Sequence, residues 1–155
     1  NLWNTTVAPA DTVWHLGDFS FAHKYDIIAD YVSALNGQKF FIKGNHDRRE
    51  NLDRLKEDGL IQNWYEYKEI KIGETKAILF HFPIAIWHQQ HRDSIMLHGH
   101  SHGSYVGKGK ILDVGLDSAY NLTGEHTFFK EEDIKAYTTL KPKHVADHHQ
   151  PREGE

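Results

Sequence analysis

The stretch KFFIKGNHD at residues 39–47 decides the fold that we predict. Its first half is a short, mostly apolar run, typical of a buried strand, and Gly44 ends it. The next residues, Asn45, His46 and Asp47, place oxygen and nitrogen donors within one turn. A simpler interpretation is a turn that caps the following helix, because Asn and Asp are good helix caps.

The same pattern recurs on both sides of this stretch. Further strands are predicted at 12–16, 65–72, 76–80, 94–98 and 110–114. The strands at 65–72 and 76–80 are predicted to form a hairpin about Gly73-Glu74. Helices are predicted at 25–35, 51–58 and 131–137. Polar residues follow three of the strands: Asp18, His81, and His100 with His102. Ligands bind at this edge in α/β folds, so we predict a mixed-sheet α/β domain with a site there.

Composition bounds the class of protein. The chain has 155 residues, 39% hydrophobic and 12% aromatic, which suits one domain with a substantial core and excludes disorder. We predict a domain over 1–140 and a polar, flexible tail over 141–155. A net charge of −4 argues against a protein that coats nucleic acid or an anionic membrane. Without a membrane-spanning run or a signal peptide, we expect a cytoplasmic location.

Histidine and cysteine usage points to metal. The chain has no cysteine, which excludes disulfides and thiolate zinc sites, but it has 13 histidines. A cysteine-free protein rich in histidine suggests a metal site built from imidazoles and carboxylates.

The segment GHSHG at 99–103 is the strongest single metal signal. Two imidazoles at i and i+2 of an extended segment project to one side, and glycines let the backbone approach an ion. The alternatives are a solvated histidine loop here, a core histidine at His81 and a turn residue at Asp18. His98 is interpreted as a residue behind the site and His15 as packed in its strand. His88 and His91, at i and i+3, could chelate a metal but are interpreted as a solvated face. Four more histidines are interpreted as surface residues: His126, His144, His148 and His149.

Taken in order, these blocks resemble the calcineurin-like metallophosphoesterase superfamily, and its small bacterial and phage members in particular. The blocks are GD at 17–18, GNHD at 44–47, the lone His81 and GHSH at 99–102. The resemblance implies a sandwich of two mixed β-sheets flanked by helices. It also implies hydrolysis of a phosphate mono- or diester by a hydroxide that bridges two divalent ions of Mn, Fe, Zn or Ni.

The resemblance also implies a role for each matching residue. Asp18 would bridge the two ions, Asn45, His81 and His100 would complete the second metal site, and His102 would belong to the first. His46 would be the general acid, with Asp47 orienting its ring. Arg48 and Arg49 beside the site could hold a phosphate. No other cofactor is implied.

The superfamily pattern begins with an Asp-x-His block that residues 1–17 do not contain. We therefore expect the domain to be N-terminally incomplete, with its first strand missing and about one ion firmly bound. Asp147 and His149 in the tail are the alternative donors.

The expected partner is a phosphate ester, a small molecule or nucleotide rather than duplex nucleic acid. Two other functions stay open. The chain could be a metal-binding or interaction scaffold of the same fold, as retromer's phosphoesterase-fold subunit is. It could also be a nuclease of the superfamily.

Overall fold

The computed structural model describes residues 1–146. They form two compact units, the first Asn1–Tyr67 and the second beginning at Lys68. Asp147, His148 and His149 lie outside the described residues. The described helices are α1 (Leu2–Thr6), α2 (Tyr25–Ser33), α3 (Arg49–Glu57), α4 (Leu116–Thr123) and α5 (Glu131–Thr139). The described strands are β1 (Thr12–His15), β2 (Gln38–Ile42), β3 (Asn63–Tyr65), β4 (Tyr67–Ile72), β5 (Thr75–Phe80), β6 (Ile95–His98) and β7 (Ile111–Asp113).

The first unit is a three-stranded parallel sheet whose strands are connected by helices. The strand order is β1-β2-β3, with Trp14 paired to Phe40 and Phe40 paired to Asn63. Parallel neighbours need a long crossover connection, which α2 and α3 supply. Successive strands therefore end at the same edge of the sheet, which places the residues after β1 next to those after β2.

The core of the first unit lies between β2 and the two crossover helices. Apolar residues recur in α2 at helical spacing, and Phe41 of β2 is buried against them. Burying such a side chain contributes roughly 1.5–3 kcal/mol. The buried members of this cluster are Tyr25, Ile28, Val32, Phe41, Leu52, Leu55 and Ile61.

The second unit begins in β4 and has a four-stranded sheet of order β4-β5-β6-β7. The residues Gly73-Glu74 join β4 to β5 as predicted, and a two-residue connection makes this pair an antiparallel hairpin. The β5–β6 and β6–β7 pairs are parallel, with Ile78 opposite Met96 and Met96 opposite Ile111. All four residues of β6 are buried, as expected of a strand inside a sheet.

The α/β class is confirmed, with two sheets flanked by helices, and the predicted strands and helices are present with ends shifted by up to two residues. Three further elements, α1, β3 and α4, were not predicted. Helix α4 buries only Ser118 and Ala119, so it carries no apolar stripe that a periodicity argument detects. Between residues 1 and 146, no helix combines the length and apolar character needed to cross a bilayer.

Candidate active site

In the first unit, Asp47 ties together the loops that follow β1 and β2. Its Oδ2 atom accepts the backbone N–H groups of Asp18 and Gly44, both at 2.8 Å, and its Oδ1 accepts the N–H of Phe19 at 3.2 Å. The resemblance implies that Asp47 orients the His46 ring. The structure instead gives its carboxylate three backbone donors, and the ring-orienting role stays a prediction.

Gly44 allows these two loops to approach closely. A Cβ atom built at Gly44 would collide with the carboxylate oxygen and backbone nitrogen of Asp18, and would lie 2.8 Å from its Cγ. Asp18 itself follows Gly17 in a turn where both residues have positive φ, 103° and 57°. Its Oδ1 accepts the backbone N–H of His46 at 2.9 Å. The glycine thus fixes Asp18 against the polar loop.

His46 is exposed, and it lies beside the exposed aromatic ring of Phe21. The two ring centroids are 4.9 Å apart in an edge-to-face arrangement. His46 also lines a cavity of about 10 Å³, together with Asp47 and Arg48, which is room for about one water molecule. Arg48 is an exposed residue at the N-cap of α3, two positions after His46.

The two arginines after the GNHD block have different surroundings. The Arg49 side chain forms an ion pair with Glu66, and its guanidinium carbon lies 5.8 Å from the centroid of Trp64. Arg49 is therefore engaged within its own unit. Asn45 is exposed in the same loop as His46.

In the second unit, two neighbouring strands deliver a pair of imidazoles to one place. His81 follows β5 and is 1% exposed, whereas His100 follows β6 and is exposed. Their ring centroids are 5.1 Å apart. The Phe82 ring packs on both, at 4.9 Å from His81 and 4.6 Å from His100, and the Gly99 N–H donates to the His81 carbonyl at 3.0 Å.

The segment that carries His100 and His102 is not extended, and this corrects the geometry predicted for it. Both residues have positive φ angles, 64° and 50°, a backbone conformation that residues other than glycine rarely adopt. The Ser101 N–H donates to the Gly99 carbonyl at 2.7 Å, and the Ser104 N–H donates to the Ser101 carbonyl at 2.9 Å. The two imidazoles are thus presented by a tight turn, not by strand alternation.

Asp113 holds this turn against the start of α4. Its carboxylate is 6% exposed and accepts the N–H of Gly103 and the N–H of Gly115, both at 2.9 Å. In the sheet Asp113 pairs with His98, whose Nδ1 donates to the Gly99 carbonyl at 2.9 Å. Burial lowers the pKa of His98, which disfavours the charged form of its ring. The position behind the site stays a prediction for His98.

His102 points to a carboxylate of α4 that follows it in the sequence. Its Nδ1 lies 2.8 Å from Oδ2 of Asp117, and the other oxygen of that carboxylate is 3.8 Å from Nε2 of His126. The His126 ring stacks on Tyr120 with centroids 4.8 Å apart. The side chain of His102 is 75% exposed, so this hydrogen bond is what restrains it.

The model of the calcineurin-like phosphoesterase superfamily domain matches residues 3–116. The chain belongs to this superfamily. Among curated proteins it is similar to the gene 66 protein of Mycobacterium phage D29, 29% identical over 78% of this chain and 74% of the relative. The gene 66 protein of Mycobacterium phage L5 is 27% identical over 75% of this chain and 70% of the relative. The resemblance to phage members is thereby confirmed.

A solved structure from Aquifex aeolicus, the protein of unknown function AQ665, shares the fold. It superposes with a TM-score of 0.65 at 21% identity, covering 88% of this chain and 81% of that chain. This likeness extends beyond the segment that the superfamily match spans.

As a calcineurin-like phosphoesterase domain, the chain carries its polar blocks on two pairs of parallel strands. The first unit brings Asp18, His46 and Asp47 into one hydrogen-bonded pair of loops, and the second brings His81 and His100 together. His102 contacts Asp117. In the second unit, His81 and His100 offer two imidazoles, a ligand type that suits Mn, Fe, Zn or Ni.

Sequence reasoning did not single out Asp113 or Asp117. The segment DVGLD at 113–117 follows a short strand, the same pattern that marked Asp18 as a candidate. That signal was available in the sequence. The contacts of Asp117 with His102 and of Asp113 with Gly103 are seen only in the folded chain.

Proposed function

We propose that this chain hydrolyses a phosphate mono- or diester with the help of divalent metal ions. The observation that carries the proposal is the pair His81 and His100, with ring centroids 5.1 Å apart at the ends of two neighbouring parallel strands. Ligands bind at that edge in α/β folds, and contacting imidazoles at such an edge are natural metal ligands. Membership of the phosphoesterase superfamily supports the same reaction.

The residues that would hold the ions are Asp18, Asn45, His81, His100 and His102. When bound there, Mn, Fe, Zn or Ni would lower the pKa of water and neutralise charge on the phosphoryl group. In this proposal Asp18 would be a ligand of both ions, and His102 would serve the ion that the chain holds less firmly.

The chain's own residues then position the ester and move a proton. His46 would donate a ring proton to the oxygen that leaves phosphorus as the P–O bond breaks. The backbone N–H of His46 donates to Asp18 at 2.9 Å, which restrains the loop that carries the ring. Arg48, exposed beside His46, would contact the phosphoryl oxygens, whereas Arg49 is paired with Glu66.

The proposed substrate is a small phosphate ester or a nucleotide. Binding to duplex nucleic acid depends largely on neutralising backbone phosphates with lysine and arginine. A net charge of −4 does not favour that mode of binding. A small ester needs only one phosphate contact of the kind that Arg48 offers.

The test uses the metal-free full chain with p-nitrophenyl phosphate and bis(p-nitrophenyl) phosphate, assayed after addition of Mn²⁺, Fe²⁺, Zn²⁺ or Ni²⁺. We expect slow hydrolysis that depends on the added ion. Asp18→Asn should abolish it, because an amide does not bridge two cations as a carboxylate does. His23→Ala is the matched control, since His23 is an exposed histidine of the same unit outside the four motif blocks.

A hydrolysis rate that does not depend on the added ion and is unchanged in Asp18→Asn would contradict the proposal. Tight metal binding without hydrolysis of any ester would favour the scaffold alternative. Preferential cleavage of an oligonucleotide over both nitrophenyl esters would favour the nuclease alternative.

A further inference from the structure

We infer that Asp117 is a positioning residue, which fixes the His102 ring so that its Nε2 atom faces a metal ion. The inference rests on the proposed function, in which His102 is a metal ligand. Nothing in the superfamily pattern quoted above includes Asp117. It is the described carboxylate that lies within hydrogen-bond distance of the His102 ring.

The hydrogen bond determines which nitrogen of His102 is available. A carboxylate accepts hydrogen bonds and does not donate them, so the 2.8 Å contact to Oδ2 places the proton on Nδ1 of His102. The lone pair is then on Nε2, the atom that a metal ion would bind. Histidines that ligate metals commonly donate their other N–H to a carboxylate, which fixes both tautomer and ring orientation.

The rest of the unit holds Asp117 and His102 at this distance. The buried carboxylate of Asp113 accepts the N–H of Gly103, next to His102, and the N–H of Gly115, the N-cap of α4. Asp117 lies in the first turn of α4, where the helix dipole favours a negative charge. One buried residue therefore sets the spacing between the histidine turn and the helix.

Because His102 is exposed, the hydrogen bond to Asp117 matters more for its orientation than it would for a buried ligand. His102 is 75% exposed at its side chain, so packing does not select its rotamer. His81, by comparison, is 1% exposed and is oriented by the core around it. Without Asp117, the His102 ring would have to be ordered at the moment of metal binding, and that ordering reduces affinity.

The test measures the affinity of the full chain for Mn²⁺ and Zn²⁺ by titration calorimetry. Asp117→Ala should weaken binding of the less firmly held ion by about 10–100-fold. Asp117→Asn should lose less, because its amide oxygen can still accept from Nδ1. Asp133→Ala is the matched control, since Asp133 lies in the first turn of α5 and caps the Lys130 N–H at 2.9 Å.

A double-mutant comparison separates this inference from the proposed function. In a His102→Ala background, Asp117→Ala should produce no further loss. If His102→Ala weakens binding while Asp117→Ala alone does not, the inference is overturned and the proposed function stands. If His102→Ala binds Mn²⁺ and Zn²⁺ as tightly as the wild type, His102 is not a ligand and the inference fails, whereas ion-dependent hydrolysis of a nitrophenyl ester by the wild type would still support the proposed function.

A second readout uses the metal-free protein. Imidazole ¹⁵N spectra should show His102 protonated on Nδ1 in the wild type and shifted towards Nε2 protonation in Asp117→Ala, because an unrestrained imidazole favours the Nε2–H form. The same tautomer in both proteins would overturn the inference. Circular dichroism of each variant checks that the fold is retained.

Discussion

At the residue scale, the first-unit loops depend most on a single carboxylate. Asp47 accepts three backbone N–H groups from the loops after β1 and β2. Hydrogen bonds to charged groups contribute roughly 1.5–3 kcal/mol each when they are shielded from water, and less when they are half-exposed as here. Asp47 thus has a structural function that its place in the GNHD block does not reveal.

We predict that Asp47→Ala lowers the free energy of unfolding by about 2 kcal/mol or more, because three donors lose their acceptor. Metal affinity should fall with it, since Asp18 is held by one of the three bonds. Urea unfolding of the metal-free chain measures the effect. Unchanged stability with reduced turnover would instead favour the ring-orienting role.

His46→Ala should separate catalysis from metal binding. General acid catalysis typically supplies about 10²–10⁴-fold in rate, so turnover should fall by that factor. Metal content should stay near that of the wild type, because His46 is not among the proposed ligands. Elemental analysis and the nitrophenyl ester assay measure the two quantities on the same samples, with His23→Ala as control. Equal loss of both would show that His46 is a ligand.

Single residues also mark the limit of what the sequence could predict. The motif residues Asp18, His46 and His100 were identifiable because each follows a short apolar run that ends in glycine or a turn. The contact of His102 with Asp117 was not predictable. It spans 15 positions and depends on a left-handed turn that no local pattern indicates.

At the element scale, a hydrogen bond links the start of α2 to the end of α3. The Tyr25 hydroxyl donates to Asp58 at 2.5 Å, and the Arg54 guanidinium lies 3.8 Å from the Tyr25 ring centroid. Burial, followed by the bond to Asp58, raises the pKa of Tyr25 to about 12. The two helices are therefore joined at the rim of the first-unit core.

Tyr25→Phe should lower the free energy of unfolding by about 1–2 kcal/mol near neutral pH. Because the pKa of Tyr25 in the folded state lies above its ordinary value of 10.0, its contribution is fully present below pH 10 and is lost as the pH rises through about 12. The difference between wild type and variant should narrow over that window in urea titrations. Tyr31→Phe, at an exposed tyrosine of the same helix, should show neither effect. A difference independent of pH would contradict the assignment.

Helices and strands with regularly spaced apolar residues were predictable, and those without such spacing were not. Helix α2 was predicted from apolar residues at helical spacing, among them Ile28 and Val32, which the structure buries together with Tyr25. Helix α1 is only five residues long, and α4 is stabilised by small buried residues next to the histidine turn. Short elements of this kind are fixed by tertiary contacts and not by their own sequence.

At the scale of the whole molecule, the superfamily match over residues 3–116 and the ordered polar blocks point to one chemistry. The net charge of −4 argues against a protein that coats nucleic acid or an anionic membrane, and the absence of cysteine excludes a thiolate metal site. We propose that Asp18, Asn45, His81 and His100 would together hold a divalent ion. In the same proposal, His102 and Asp18 would be ligands of a second ion.

The most direct test of that claim is the metal content of the full chain, measured by elemental analysis after loading with Mn²⁺ or Zn²⁺ and exhaustive dialysis. We expect about one firmly bound ion per chain, because four protein ligands would serve one site. It predicts nearly none in His100→Ala, whose exposed side chain can be removed without opening the core, and an unchanged value in His23→Ala. A wild type that retains no ion, or a folded His100→Ala variant that retains the full amount, would contradict it.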